Sequence, residues 1–178
     1  MVEQTYGLLT VDRIIQAANL SSEGAYTSVG TYEHTELLAF VKELNAVTLT
    51  PPAELVRLFG RHLFSRFVDL YPQFFEGIDS AFDFLKNVED YIHVEVLKLY
   101  PDAELPSFRY VMPEAGRMEL TYLSPRPLAD LADGLIQGCV EHFQEAITVE
   151  REAPVFDQGH QRVRFILTCL QRMPRLAT

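Results

Sequence analysis

The chain has 178 residues, of which 48% are hydrophobic and 22% are charged, and its formal net charge is −10 at pH 7. This composition predicts a single soluble globular domain over residues 1–178 and argues against nucleic acid or an anionic membrane as a partner. No apolar run approaches the roughly 20 residues that a membrane span needs. The opening segment, MVEQTYG, also lacks the pattern of a signal peptide.

The first half of the sequence has the periodicity of amphipathic helices, with apolar residues three and four positions apart. Thr50 is a candidate helix cap, because the prolines that follow it suit the first turn of a helix. That helix should stop near Tyr71, and Pro101 closes the last helix of this half. The predicted helices cover residues 9–18, 35–44, 50–71 and 80–100.

The second half changes to the alternation of strands, interrupted by one further helix. The predicted strands cover residues 108–111, 117–123, 147–152 and 162–170, and the predicted helix covers residues 128–146. The segment 112–116 is predicted to be a loop. Helices followed by strands indicate an α+β fold, with a helical N-terminal part over about 1–105 packed on a C-terminal antiparallel sheet over about 106–178.

The segment MELTYLSPRP, residues 118–127, places Tyr122, Ser124 and Arg126 at alternate positions. In an extended strand these side chains project from one face, and Pro125 favours an extended conformation at Ser124. Two hydroxyls and a guanidinium in such a row suit an anionic ligand with more than one oxygen. The alternative is the solvent-exposed face of an ordinary antiparallel strand.

A single histidine, His93, lies in the middle of the long predicted helix, beside the apolar residues Ile92 and Val96. It forms no zinc-binding pair with a second histidine, whereas a zinc or non-haem iron site would need three or four protein ligands. Haem iron can be held by one imidazole, because the porphyrin supplies four nitrogens. The alternative is a histidine at the boundary of the core.

Several groups of residues, in order and at matching distances over nearly the whole chain, have counterparts in one known family. They are Phe59-Gly60, Tyr71-Pro72-x-Phe74-Phe75, His93 followed by Leu99-Tyr100-Pro101 and Leu105-Pro106-Ser107-Phe108, Tyr122-x-Ser124-x-Arg126, Gly134-Leu135-Ile136-x-Gly138 and His142-Phe143. On these residues the sequence resembles the H-NOX (haem nitric oxide/oxygen binding) domains, and in particular the stand-alone bacterial NO sensors.

The resemblance implies that haem b lies between the two halves of the fold, with iron held by His93 as the proximal ligand and metal-binding residue. It implies that Tyr122, Ser124 and Arg126 hold the haem propionates, for which the charge-assisted bonds of an arginine are suited. Pro106 matches a proline that packs on the porphyrin and distorts it. The resemblance further implies a distal pocket lined by Leu63, Phe64, Phe67, Leu131 and Leu135.

The same resemblance implies a haem-based gas sensor rather than an enzyme. Oxygen-binding members carry a distal tyrosine at the position of Leu131, so this chain is expected to bind NO and CO and to exclude O₂. NO would weaken the link between iron and His93, and the helix that carries His93 would shift relative to the strand that leads to Arg126. A separate effector, either a histidine kinase or a cyclic-di-GMP enzyme, would read the change.

Two alternatives stay open from the sequence. The first is a haem-free interaction or adaptor module with the same fold, since the sequence begins after the short helix with which family members cover the distal haem face. The second is a thiol switch that uses Cys139 and Cys169, which form neither a metal-ligand spacing nor a disulfide framework. Two such cysteines predict a reducing, cytoplasmic setting.

Overall fold

The computed structural model describes residues 1–170 except residues 21, 23, 28, 29 and 31. Contacts divide the chain into two compact units, Met1–Phe59 and Gly60–Thr178, and the division falls inside one helix. The helices are α1 Val2–Tyr6, α2 Leu8–Ala18, α3 His34–Thr48, α4 Pro52–Leu70, α5 Ala81–Lys86, α6 His93–Leu99 and α7 Ala129–His142. The strands are β1 Ser107–Glu114, β2 Arg117–Ser124, β3 Ile147–Arg151, β4 Val155–Asp157 and β5 His160–Cys169.

The first unit contains α1, α2, α3 and the first two turns of α4. Its buried residues include Ile14 on α2, Leu44 on α3 and Leu55 on α4. The helix α4 begins at Pro52, within the predicted segment, but the N–H groups of Glu54 and Leu55 both donate to the Pro51 carbonyl, so the residue that precedes the helix is Pro51 and not the predicted Thr50. The positions predicted for α2, α3 and α4 are therefore confirmed. Within the described residues, no helix is long and apolar enough to cross a membrane.

The second unit is built on an antiparallel sheet with the strand order β1-β2-β5-β3, and β4 also pairs with β5. Alternate residues of the central strands are buried, among them Leu120 on β2 and Phe165 on β5. The helix α7, inserted between β2 and β3, packs on this sheet, and the Ala129 N–H at its start donates to the buried Gln161 side chain at 3.1 Å. These features confirm the predicted α+β fold with one inserted helix.

The helices α4 and α7 approach each other closely at two glycines. A Cβ atom at Gly60 would lie 2.5 Å from the Leu131 carbonyl oxygen and 2.9 Å from the Cα atom of Gly134. A Cβ atom at Gly138 would lie 2.8 Å from the Cβ atom of Phe64. Since these neighbours are backbone or stem atoms, no larger residue fits at either position without moving a helix.

The predicted helix over residues 80–100 is wrong as a single α-helix. The segment begins as expected, because the Ser80 hydroxyl accepts the Asp83 N–H at 3.1 Å and caps α5. It then passes through a π-helical turn over Val88–Ile92, in which the Ile92 N–H donates to the Asn87 carbonyl at 3.0 Å. A π-turn inserts one residue into the helical repeat, which apolar periodicity does not reveal, and such turns are frequent at functional sites.

Other elements also differ from the prediction. Residues 112–114 belong to β1 and not to a loop, since the edge strand accommodates Pro113 at a bulge between Val111 and Glu114. The helix α7 ends at His142 because the chain turns at Gln144, whose φ is 54°. The short strand β4 was not predicted, because its residues are exposed and carry no alternation of burial.

We expect Gly60→Ala to lower the free energy of unfolding by about 1–3 kcal/mol, because the new methyl group meets the backbone of α7. Glycine to alanine in a helix is otherwise stabilising by roughly 1 kcal/mol, so a loss would identify the contact as its cause. Chemical denaturation measures the difference. The control is Ser65→Ala on the exposed side of α4, which should change the stability by less than about 0.5 kcal/mol. A Gly60→Ala protein as stable as the parent would contradict the close approach.

Candidate functional site

All of the site residues predicted from the sequence line one cavity of about 320 Å³ in the second unit. This volume falls in the range of small-molecule sites, on the order of 300–1,000 Å³. Residues from α4, α6, α7, β2 and the connection between α6 and β1 contribute to it. The predicted residues in its lining are Leu63, Phe64, Phe67, His93, Pro106, Tyr122, Ser124, Arg126, Leu131 and Leu135.

One side of the cavity is formed by α4 and α7 and is apolar. The helix α4 contributes Leu63, Phe64 and Phe67, while α7 contributes Leu131 and Leu135, together with small and aliphatic neighbours. None of the described lining residues on these two helices carries a side-chain hydrogen-bond donor. A ligand atom on this side would therefore meet hydrocarbon and no polar partner.

His93 is the first residue of α6, directly after the π-turn, and its side chain is only 16% exposed. Its Nδ1 atom lies 3.3 Å from the Glu89 carboxylate, and its ring centroid lies 5.9 Å from that of Phe108. Burial lowers the pKa of His93, and the neighbouring Glu89 opposes this effect only partly. The imidazole is consequently neutral near pH 7, which is the form that binds metal ions.

Glu89 was not predicted from the sequence as part of the site. Its Oε2 atom accepts the backbone N–H of Phe108 at 2.9 Å and also faces Nδ1 of His93. A carboxylate four residues before a histidine is ordinarily interpreted as part of a solvated helix face. Only the packing of β1 against the π-turn shows that this one is engaged, so no local sequence signal could have identified it.

The row of Tyr122, Ser124 and Arg126 differs from the predicted geometry. Tyr122 and Ser124 are 2% and 4% exposed, so the alternative of a solvent-exposed strand face is wrong. The strand ends at Ser124, and Arg126 lies in the turn that follows. The Tyr122 hydroxyl donates to the Arg126 carbonyl at 3.0 Å, and the Arg126 N–H donates to the Ser124 hydroxyl at 3.1 Å. The two hydroxyls thus fix the backbone from which the guanidinium extends.

The guanidinium of Arg126 lies at the edge of the cavity, where its Nη2 atom contacts the Glu104 carboxylate at 2.6 Å. The Glu104 side chain is 66% exposed, so the pair is screened by solvent and contributes little stability. Arg126 can therefore exchange this partner for the carboxylate of a ligand at small cost. Pro106, which also lines the cavity, follows Glu104 in the same connection.

These groups fit a cofactor that brings most of its own metal ligands. Within the described part of the chain, no cluster of three or more histidine, cysteine or acidic side chains could hold a bare metal ion. The cavity instead offers one neutral imidazole, an apolar wall and a guanidinium at its edge. This donor set suits a porphyrin with two propionates, in which one protein imidazole completes the iron coordination.

The two cysteines lie apart from this chemistry. Cys139 on α7 is fully buried, and burial raises the pKa of its thiol far above the usual value. Burial also raises the pKa of the Cys169 thiol, at the end of β5. Because the thiolate is the reactive form, both groups are poor candidates for a redox switch at neutral pH.

The family profile and the solved structures that match this chain belong to one family. The profile of a family described as haem-NO-binding matches residues 1–151. The Fe(II) unliganded H-NOX protein from K. algicida is 35% identical, covers 97% of this chain and 92% of its own, and superposes with a TM-score of 0.86. The IWP-051-bound H-NOX from Shewanella woodyi in the Fe(II)CO state is 41% identical, with 99% and 91% coverage and a TM-score of 0.79.

A T. tengcongensis H-NOX mutant, at 22% identity with 96% and 92% coverage, has a TM-score of 0.86 and supports the fold alone. No curated protein matches the sequence.

We expect Cys139 to resist alkylation in the native protein at neutral pH and to react once the protein is unfolded by denaturant. The reason is that the thiol is both fully buried and held protonated. Mass spectrometry of peptides after timed labelling separates Cys139 from Cys169. A Cys139→Ala protein serves as the control, because its labelling should then report Cys169 alone. Rapid native labelling of Cys139 would instead support the thiol switch.

Proposed function

The chain belongs to the haem-NO-binding (H-NOX) family, and from this membership we propose that it is an NO sensor that excludes O₂ and signals to a separate protein. Domains of this family are haem-binding gas sensors that take ligands such as NO and CO, and haem b is their standard cofactor. The observation that supports the proposal most strongly is the convergence of His93, an apolar wall and Arg126 on one cavity.

Each group of lining residues has a distinct role in this proposal. Bound haem supplies an iron centre with four porphyrin nitrogens that can take a diatomic gas as a ligand. His93 would hold the iron from the protein side, and Arg126 would pair with the propionates, in place of the exposed Glu104. The hydroxyls of Tyr122 and Ser124 would act mainly by holding the turn that positions Arg126. Pro106 would pack against the porphyrin.

Selectivity against O₂ would come from the apolar wall of α4 and α7. Bound O₂ accumulates negative charge and is stabilised by a hydrogen-bond donor, whereas NO and CO need little such help. By the family resemblance, Leu131 would take the position of the distal tyrosine of oxygen-binding members, and Leu63, Phe67 and Leu135, which line the same cavity, supply no donor either. The side chains on this wall would also keep water out of the pocket.

Signalling would use the position of His93 at the start of α6. The helix α6 leads directly into the connection that carries Glu104 and Pro106, so a displacement of His93 would be passed to the cavity edge. NO can act as a signal only if it binds two conformations with different free energies and a partner distinguishes them. We propose a histidine kinase or a cyclic-di-GMP enzyme, acting as a separate chain, as that partner.

The test is an anaerobic absorbance spectrum of the reduced, haem-reconstituted protein before and after NO, and separately with O₂. We expect a five-coordinate ferrous spectrum, a five-coordinate spectrum with NO and no stable complex with O₂. A His93→Gly variant should regain its ferrous spectrum when free imidazole is added, because only the ligand has been removed. Failure to retain haem would favour the haem-free adaptor module, and a stable O₂ complex would contradict the proposed selectivity.

We further expect Leu131→Tyr to tighten O₂ binding by roughly 10-fold or more, since one net hydrogen bond is worth about 1 kcal/mol and more when its acceptor is charged. The matched control is Leu131→Phe, which adds the ring without the hydroxyl and should leave O₂ binding unchanged. Titration of the reduced, haem-loaded proteins with O₂, followed by absorbance, measures the affinity of both variants. Equal O₂ affinities in the two variants would show that the absence of a donor at this position does not determine selectivity.

A further inference from the structure

The carboxylate of Glu89 contacts two groups on different elements of the second unit. Its Oε2 atom accepts the Phe108 N–H of β1 at 2.9 Å and lies 3.3 Å from Nδ1 of His93 on α6. Glu89 itself belongs to the π-turn between α5 and α6. One side chain therefore connects the helical segment that carries the candidate iron ligand with the edge strand of the sheet.

Glu89 approaches His93 from outside the haem cavity. It lines a separate groove of about 490 Å³, together with Lys86, Asp90 and Arg109, and its side chain is 39% exposed. His93 lines the cavity. The imidazole thus lies between the two spaces, with its Nδ1 atom toward the carboxylate, so Nε2 is the ring nitrogen left to bind a ligand from the cavity.

The π-turn contributes to this arrangement. The His93 N–H donates to the Val88 carbonyl five residues earlier, and the Ile92 N–H likewise donates to the Asn87 carbonyl. This wider turn changes the angular relation between Glu89 and His93 from that of a regular α-helix. The bond from Phe108 then holds Glu89 against β1, and the carboxylate remains within reach of His93.

We propose that Glu89 is a positioning residue for His93, which fixes the tautomer and orientation of the imidazole and ties its movement to β1. This inference rests on the proposed function, because it concerns the strength with which His93 holds iron. A carboxylate that accepts the Nδ1 hydrogen keeps Nε2 unprotonated and makes the imidazole a stronger electron donor. Release of His93 would also require the helix segment to move while Glu89 is held by Phe108.

This positioning would affect how readily NO releases His93 from the iron. Glu89 would make the bond between iron and His93 stronger than that of an unsupported imidazole, so that NO displaces His93 more slowly. Loss of outer partners of metal ligands typically costs about 10–100-fold in metal affinity or activity. We therefore expect removal of the Glu89 charge to speed the NO-dependent release of His93 by roughly 10-fold or more.

The decisive comparison uses Glu89→Gln and the matched control Asp90→Asn. Asp90 is the next residue on the same π-turn, is exposed, and lines the same groove, so its variant removes the same charge without touching His93. Resonance Raman spectroscopy of the reduced, haem-loaded proteins measures the stretching frequency of the bond between iron and histidine. Glu89→Gln should lower this frequency and speed the conversion to the five-coordinate NO spectrum, whereas Asp90→Asn should change neither.

A second measurement uses the haem-free protein and does not depend on gas binding. Glu89→Ala should increase hydrogen exchange at the Phe108 amide, and the ¹⁵N shifts of His93 should move from one tautomer toward a mixture. Both should be unchanged in Asp90→Asn. Circular dichroism of each variant establishes that the fold is retained.

The outcomes distinguish a failure of the proposed function from a failure of the role proposed for Glu89. If the parent protein shows no iron–histidine stretching band, the proposed function fails. If the parent shows the band and Glu89→Gln matches both the parent and Asp90→Asn in frequency and rate, the role of Glu89 is overturned while the proposed function stands.

Discussion

The close approach of α4 and α7 is the constraint on which the candidate site depends. Gly60 and Gly138 let the two backbones meet where any Cβ atom would collide with a carbonyl oxygen or a side-chain stem. That contact brings Leu63 and Phe67 of one helix beside Leu131 of the other, and so creates an apolar wall without polar groups. A wider separation would admit water, and a ligand atom on this side would then no longer meet hydrocarbon alone.

The opposite edge of the cavity is organised by hydrogen bonds to backbone and not by free polar groups. Tyr122 and Ser124 are buried, so their hydroxyls need partners, and the Arg126 carbonyl and N–H supply them. These bonds hold the turn after β2 and leave the guanidinium of Arg126 at the cavity edge, where its partner is the exposed Glu104. The charge that can meet a ligand is thus carried by one residue, while its neighbours maintain its position.

On the side of the cavity that carries His93, a carboxylate takes the place of the two hydroxyls. His93 is largely buried, and burial favours its neutral form. The Glu89 carboxylate lies beside Nδ1 of the ring and at the same time accepts the Phe108 N–H of β1. The carboxylate of Glu89 therefore contacts both the imidazole of His93 and the backbone of β1. This arrangement connects the helical segment around His93 physically with the strand layer.

The sequence by itself determined the α+β class, the positions of the longer helices and paired strands, and the set of residues that gather around the cavity. It did so because apolar periodicity is local and because the family resemblance carried His93 and Arg126 as a set. Only the tertiary structure decided the π-turn before His93, the partners of the Tyr122 and Ser124 hydroxyls, and the engagement of Glu89. Each of these depends on which of several possible hydrogen bonds forms. Contacts between segments far apart in the sequence determine which one does.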